Sequence, residues 1–292
     1  MIFKDLKKID QKKWKEWFDV TISKNANQGY GHTRLHGVDG VDLNDLIKQL
    51  SPYINKAHQD AKAHFYEEFS IDLDPLSETR YPNALPIKQH KGYFGEVFCG
   101  ILIKHFSTIC ANDWSIPAFL FRYHDAAGEY LYRLKKGEKI GKNVPGRTGS
   151  DFIAIAIDDP SQEVVSVLGG EAKCHKKWNS TIANEALEKM STEGSAPVSL
   201  QRIGKLLLEL HGDEYTHVAQ KLRDASLAIG EAPIPRTDLF LFFFESPVTY
   251  PPSQIDVKSK PKSHTADRPL QVFEINLKGA EQLIEELYKG MD

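Results

Sequence analysis

Asp151, Glu171 and Lys173 are the residues whose types and spacing best fit a chemical task. Asp151 opens the apolar segment Phe152–Ile157, and Glu171-Ala172-Lys173 closes the apolar segment Val164–Leu168. Folded as a hairpin, these segments bring Asp151 and the triplet to one end. Strand side chains alternate between faces, so Glu171 and Lys173, two positions apart, point the same way. Two carboxylates and an ammonium at the edge of a buried sheet can hold a divalent cation and orient a water, which phosphodiester hydrolysis requires. A bare E-x-K triplet is common on surfaces. Here it ends an apolar strand, where charge is costly without partners. It also follows Gly169 and Gly170, which permit close backbone approach or a bulge.

The elements that must position these residues follow from the hydrophobic pattern. From Gly92, the residues Phe94, Val97, Phe98, Ile101, Leu102 and His105 form one helical stripe. Glu96 falls off that stripe, so it faces either a cleft or solvent. Ile116–Tyr123 reads as a strand, and the polar segment 135–149 as a loop leading to Asp151. Helices are expected at Thr181–Met190 and over Leu200–Ile229, the latter interrupted near Gly212. Leu239–Phe244, with no polar position, reads as a buried strand. A proline-rich loop, the strand Gln271–Leu277 and the helix Ala280–Tyr288 close the chain. This order predicts the α/β (mixed α+β) class, a mixed central sheet flanked by helices.

Residues 1–90 read as an appended helical and loop region, a candidate partner-binding segment, and 91–292 as the main domain with a helical insert at about 198–230. Helices are expected at Gln11–Phe18 and Asn44–Phe69, with the Gly/His-rich segment GYGHTRLHGVDG between them as a loop. Trp14, Trp17 and Phe18 are expected to pack on the body, with base stacking or partner anchoring as the alternative. Segment 72–86, with three prolines, reads as a connector.

Composition constrains the setting. Over 292 residues, 41% hydrophobic and 26% charged content is ordinary for a globular protein. No run approaches the roughly 18 apolar residues of a membrane span. The basic start lacks an apolar core and a small-residue cleavage site, so a secretory signal is not expected. Cys99, Cys110 and Cys174 are scattered without a CxxC pair, which argues against a disulfide framework or zinc site and for a reducing cytoplasm. Residues 1–17 carry six lysines against three acids, and Lys258, Lys260, Lys262 and Arg268 make a second basic segment. Such segments can meet phosphates, but a solvated surface is the expected reading, because lysine runs are common on surfaces.

A helix with GEVF around Glu96, then GRTGSDFIAI around Asp151, then GGEAKCHKKW around Glu171, then a helix, resembles the PD-(D/E)XK nuclease superfamily. More narrowly, these motifs resemble the HamA-type nuclease subunit of the Hachiman anti-phage defence system, over residues 92–190. No proline precedes Asp151, a departure from a common feature of the superfamily. The resemblance implies a restriction-endonuclease-like core and Mg²⁺-dependent (or Mn²⁺-dependent) DNA cleavage in antiviral defence with a HamB-type helicase subunit. It implies Asp151, Glu171 and Lys173 as catalytic residues, and Glu96, Asp151 and Glu171 as metal ligands. Arg147, Lys176 and Lys177 would then contact flanking phosphates, with an ordinary solvated surface role as the equal alternative for all three. Two alternatives stay open: a self-contained restriction or repair endonuclease, and a non-catalytic module in which Glu171 and Lys173 merely pair. GEKIGKN is one residue short of a phosphate-binding loop, and HGDEYTH does not match HExxH.

Overall fold

The apolar segment inside Arg236–Phe244 lies in the interior of a seven-stranded sheet covered on both faces. The computed structural model describes residues 9–69, 81–106, 116–119, 132–133, 136–137, 150–158, 163–193, 199–227, 234–246, 253–289 and 291. Its elements are α1 (Gln11–Trp17), β1 (Phe18–Asn25), β2 (Tyr30–Gly37), α2 (Leu43–Phe69), α3 (Ile87–His105), β3 (Ile116–Phe119) and β4 (Phe152–Asp158). They continue with β5 (Glu163–Cys174), α4 (Ser180–Thr192), α5 (Ser199–His211), α6 (Thr216–Ser226), β6 (Arg236–Phe244), β7 (Leu270–Asn276) and α7 (Ala280–Lys289). The strand order is β1-β2-β7-β6-β5-β4-β3. Strands β2, β7, β6 and β5 run parallel, and an antiparallel pairing adds β1 at one edge and β4 then β3 at the other. The fold is α/β with a mixed sheet flanked by helices.

Period-2 alternation divides the core. Leu239, Leu241 and Phe243 point to one face, where they pack with α1, α2, α3 and α7. Phe240, Phe242 and Phe244 point to the other, where α4 covers them. On that second face α5 and α6 cover Ile153, Ile155 and Val167. Helix α3 is buried from Tyr93 to Ile103, as expected of a helix apolar nearly all round. It starts at Ile87, five residues before the expected Gly92. Among the described residues no helix is long and apolar enough to cross a membrane.

One expectation is overturned. GYGHTRLHGVDG is not a loop: Tyr30–Gly37 is strand β2, paired antiparallel with β1 and parallel with β7. Its polar residues are buried because β7 supplies partners. His32 Nε2 lies 3.4 Å from Glu274 Oε2, Gln271 Nε2 donates to Thr33 Oγ1 at 3.3 Å, and Asn276 Nδ2 meets His36 Nδ1 at 3.2 Å. A strand whose buried polar groups find polar and charged neighbours across the sheet loses the apolar alternation that would reveal it. The residues before position 70 thus extend the sheet, while α2 packs against α7 and α3. Trp14 and Trp17 are buried in the same core, as expected.

The glycines before Glu171 act through close approach rather than a bulge. Phe152 pairs with Gly170 and Ile153 with Gly169 in regular register; the irregularity lies at Ala156/Ile157. A Cβ on Gly170 would overlap the fully buried Phe152 ring. Overpacking of this kind costs about 1–3 kcal/mol. Gly170→Ala is therefore expected to lower the urea-unfolding free energy by about that amount, with an unchanged m-value; no loss of stability would show that the ring can move aside.

Candidate active site

The β4–β5 ladder ends at Phe152 opposite Gly170, and Asp151 takes over beyond it. The Asp151 backbone N–H donates to the Gly170 carbonyl at 2.8 Å, and Asp151 Oδ2 accepts from the Ala172 N–H at 3.0 Å. A carboxylate thus satisfies a backbone donor where the ladder with β4 stops. Strand β5 continues to Cys174 with β6 as its parallel neighbour, Glu171 beside Phe240 and Lys173 beside Phe242. The triplet therefore sits within the strand, near the carboxyl end, where open α/β sheets place their ligand crevices.

Alternation decides which helix meets which residue. Ala172 packs into the core beneath α3, where a Cβ on Gly95 would lie 3.1 Å from the Ala172 Cβ. Glu171 and Lys173 consequently point to the opposite face, towards α4. Lys173 Nζ lies 2.5 Å from Glu171 Oε1. Lys189, in the last turn of α4, donates to Glu171 Oε1 at 2.9 Å and to Oε2 at 2.8 Å. Helix α4 is set by the Asn179 side chain, which accepts from the Ile182 N–H, and by the buried stripe Ala183, Ala186, Leu187 and Met190.

Glu171 is 2% exposed, against 27% for the Lys173 side chain and 42% for that of Lys189. Burial raises its carboxyl above the ordinary range, and the charge of Asp151 pushes the same way. Lys173 and Lys189 pull it down without reversing the shift. Two other buried acids, Asp238 on β6 and Glu274 on β7, stand on the same sheet face, and both behave oppositely. Burial would raise Asp238, but hydrogen bonds from His264 and Arg268 and the charges of Arg236 and Arg268 bring it below the ordinary range. Glu274 is likewise lowered, against burial, by His32, Ser253 and the Gln254 N–H. Of these three acids, only Glu171 remains unfavourably ionised despite its partners. The difference lies in the partners: Asp238 and Glu274 are surrounded by donors and cations, whereas Glu171 has a second carboxylate beside it.

The Asp238 node supports the site from below. Asp238 accepts from Arg236 Nε at 2.9 Å, His264 Nε2 at 2.7 Å and Arg268 Nε at 2.7 Å. Arg236 also donates to Glu193 Oε2 at 2.8 Å, and Ser150, next to Asp151, donates to that same oxygen at 2.6 Å. The end of α4, the start of β4, the start of β6 and the 253–269 loop are thereby tied together. Arg268 and Lys260, expected on a solvated surface, are instead committed internally, Lys260 to the carbonyls of Ala266 and Arg268.

The structure therefore brings Asp151, Glu171 and Lys173 together. Glu96 is buried in α3, the helix against the other sheet face, and does not face solvent. Among the described residues no three His, Cys, Asp or Glu side chains form a group able to hold a metal. Lys176 is exposed and lies 3.2 Å from Glu281; Lys177 is exposed as well. Arg147 lies outside the described residues. His175 stacks on Phe242, and burial, then Lys173 and Lys91, lowers its pKa. The Cys99 thiol is pushed well up by burial and by Asp151 and Glu171, which disqualifies it as a thiolate nucleophile. Sequence reasoning missed Lys189; its signal was a lysine bordering the α4 apolar stripe, three residues after Ala186. No protein-family model and no curated protein matches this chain.

The depressed Asp238 carboxyl contributes stability above the ordinary carboxylate pKa, and this is lost as pH falls through the folded value. Asp238→Asn is expected to cost about 3 kcal/mol at pH 7, because it leaves Arg236 buried beside a neutral partner. The deficit should shrink as pH falls below about 4. Thermal melts of both proteins from pH 7 to 3 check this; a deficit that does not change with pH would refute it.

Proposed function

We propose that this chain is a metal-dependent DNA nuclease of the PD-(D/E)XK type, hydrolysing phosphodiester bonds at Asp151, Glu171 and Lys173. One observation carries the reading: the buried Glu171 carboxylate meets Lys173 on the same strand face, and Asp151 is bonded to the backbone between them. The donor set suits Mg²⁺ or Mn²⁺. Two carboxylates supply hard oxygen donors, and Mg²⁺ commonly takes one or two carboxylates while keeping its waters. The ammonium groups gathered on Glu171 show that the position attracts cationic charge. Asp151 and Glu171 would hold the ion, which when bound supplies Lewis-acid stabilisation and a more acidic water. Glu96 is not needed for this set.

The chain's own groups do the rest. Lys173 orients the attacking water and opposes charge that develops on the phosphate. The ladder bond from Ala172 fixes the Asp151 carboxylate, and the Ser150–Glu193–Arg236 linkage fixes the backbone next to it. Lys176 and Lys177, exposed just after the triplet, and Arg147 would grip flanking phosphates. On the resemblance to HamA-type subunits, the nuclease serves as the effector of an anti-phage complex gated by a helicase partner.

A second reading rests on the same contacts: Lys173 and Lys189 together occupy both Glu171 oxygens, as in a structural ion cluster. The second carboxylate held beside the triplet favours the first reading, since Asp151 adds negative charge next to Glu171 rather than helping to neutralise it. Plasmid DNA with Mg²⁺ or Mn²⁺, alone and with a helicase partner, separates them. Cleavage is expected, with Glu171→Ala and Lys173→Ala each reducing its rate at least about 10²-fold while circular dichroism stays unchanged. Chelation should abolish the activity. Cleavage persisting in both variants would sink the site; DNA binding without cleavage would favour the ion-cluster reading.

A further inference from the structure

Glu171 is held by more positive charge than the strand motif supplies. Lys173 comes from its own strand and touches one oxygen, whereas Lys189 comes from α4 and reaches both. The formal charges of Asp151, Glu171, Lys173 and Lys189 cancel. A divalent ion added to this neutral set would leave two uncompensated positive charges around a carboxylate that is 2% exposed. Excess charge in such surroundings is costly, so one ammonium must yield its place. Lys189 is the one built to do so. Its side chain is the more exposed of the two, it stands in the last turn of a helix, and its four-carbon stem can swing to solvent. Lys173 is held closer by the strand that carries Glu171 itself.

We propose that Lys189 is a displaceable counter-cation that occupies Glu171 in the metal-free protein and competes with a divalent ion for it. This rests on the reading of Asp151 and Glu171 as a cation site. Lys189 then has two effects. It keeps the buried carboxylate paired when no ion is bound, and it weakens ion binding by the free energy of its own contact. The strand motif sets where an ion binds; Lys189 sets how much ion is needed.

Binding of Mn²⁺ alone to the full chain, followed by the electron paramagnetic resonance of the free ion, tests this without any cleavage readout. Lys189→Met, which keeps the aliphatic stem, is expected to bind Mn²⁺ about tenfold more tightly than the parent protein. Lys189→Arg, which keeps the charge, should stay close to the parent, and Glu171→Gln should lose the site. Far-UV circular dichroism verifies that each variant is folded. Equal Mn²⁺ affinity in the parent and Lys189→Met, with binding lost in Glu171→Gln, would overturn the proposal and leave the cation site standing. Absence of Mn²⁺ binding in both the parent and Lys189→Met would overturn the cation site and the proposal with it.

Discussion

A carboxylate placed in the interior of a sheet covered on both faces has to be neutralised where it stands, and Glu171 is the point at which this chain meets that constraint. The arrangement around it follows from geometry. Strand alternation puts Lys173 on its face, and α4 is docked so that Lys189 closes over it. Strand β4 stops one residue short, so that Asp151 meets the Ala172 N–H in place of a further ladder bond. Two ammonium groups and a second carboxylate result, gathered around one buried side chain. The carboxyl remains raised in their company, because burial and the Asp151 charge outweigh the two ammonium groups.

The neighbouring strands show what a structural solution looks like. Asp238 is surrounded by Arg236, His264 and Arg268, and Glu274 by His32, Ser253 and the Gln254 N–H; both acids are held below the ordinary range. Three buried acids on adjacent parallel strands thus divide into two that anchor and one that is left poised. The anchors are not remote from the poised one. Through Arg236, Glu193 and Ser150, the Asp238 node reaches the residue before Asp151, so rigidity at the start of β6 is transmitted to the start of β4.

Much of this was legible in the chain. The α3 stripe, the buried run Phe240–Phe244, the final strand and helix, and the hairpin that unites Asp151 with Glu171 all follow from periodicity. Strand β2 was not legible, because its buried histidines and threonine lie against Gln271, Glu274 and Asn276, some 240 positions away. Arg268 was hidden in the same way, since its partner Asp238 lies 30 positions away, whereas Lys260 turns to backbone carbonyls of its own loop, which no side-chain pattern marks. Glu96 illustrates the limit of a helical wheel, which separates an apolar stripe from the rest but does not reveal that a second layer covers the rest as well.

By itself the sequence determined the residue types and spacing of Asp151, Glu171 and Lys173, since alternation along a strand is a local property that two-residue spacing fixes. It determined the α/β class for a similar reason, each element carrying its own period. Only the tertiary structure decided which helix faces which side of β5, and hence that Lys189 joins the cluster while α3, which carries Glu96, packs against the other face. Helix docking depends on crossings between segments far apart in the chain. A charge that borders an apolar stripe looks the same in sequence whether it meets water or a buried carboxylate.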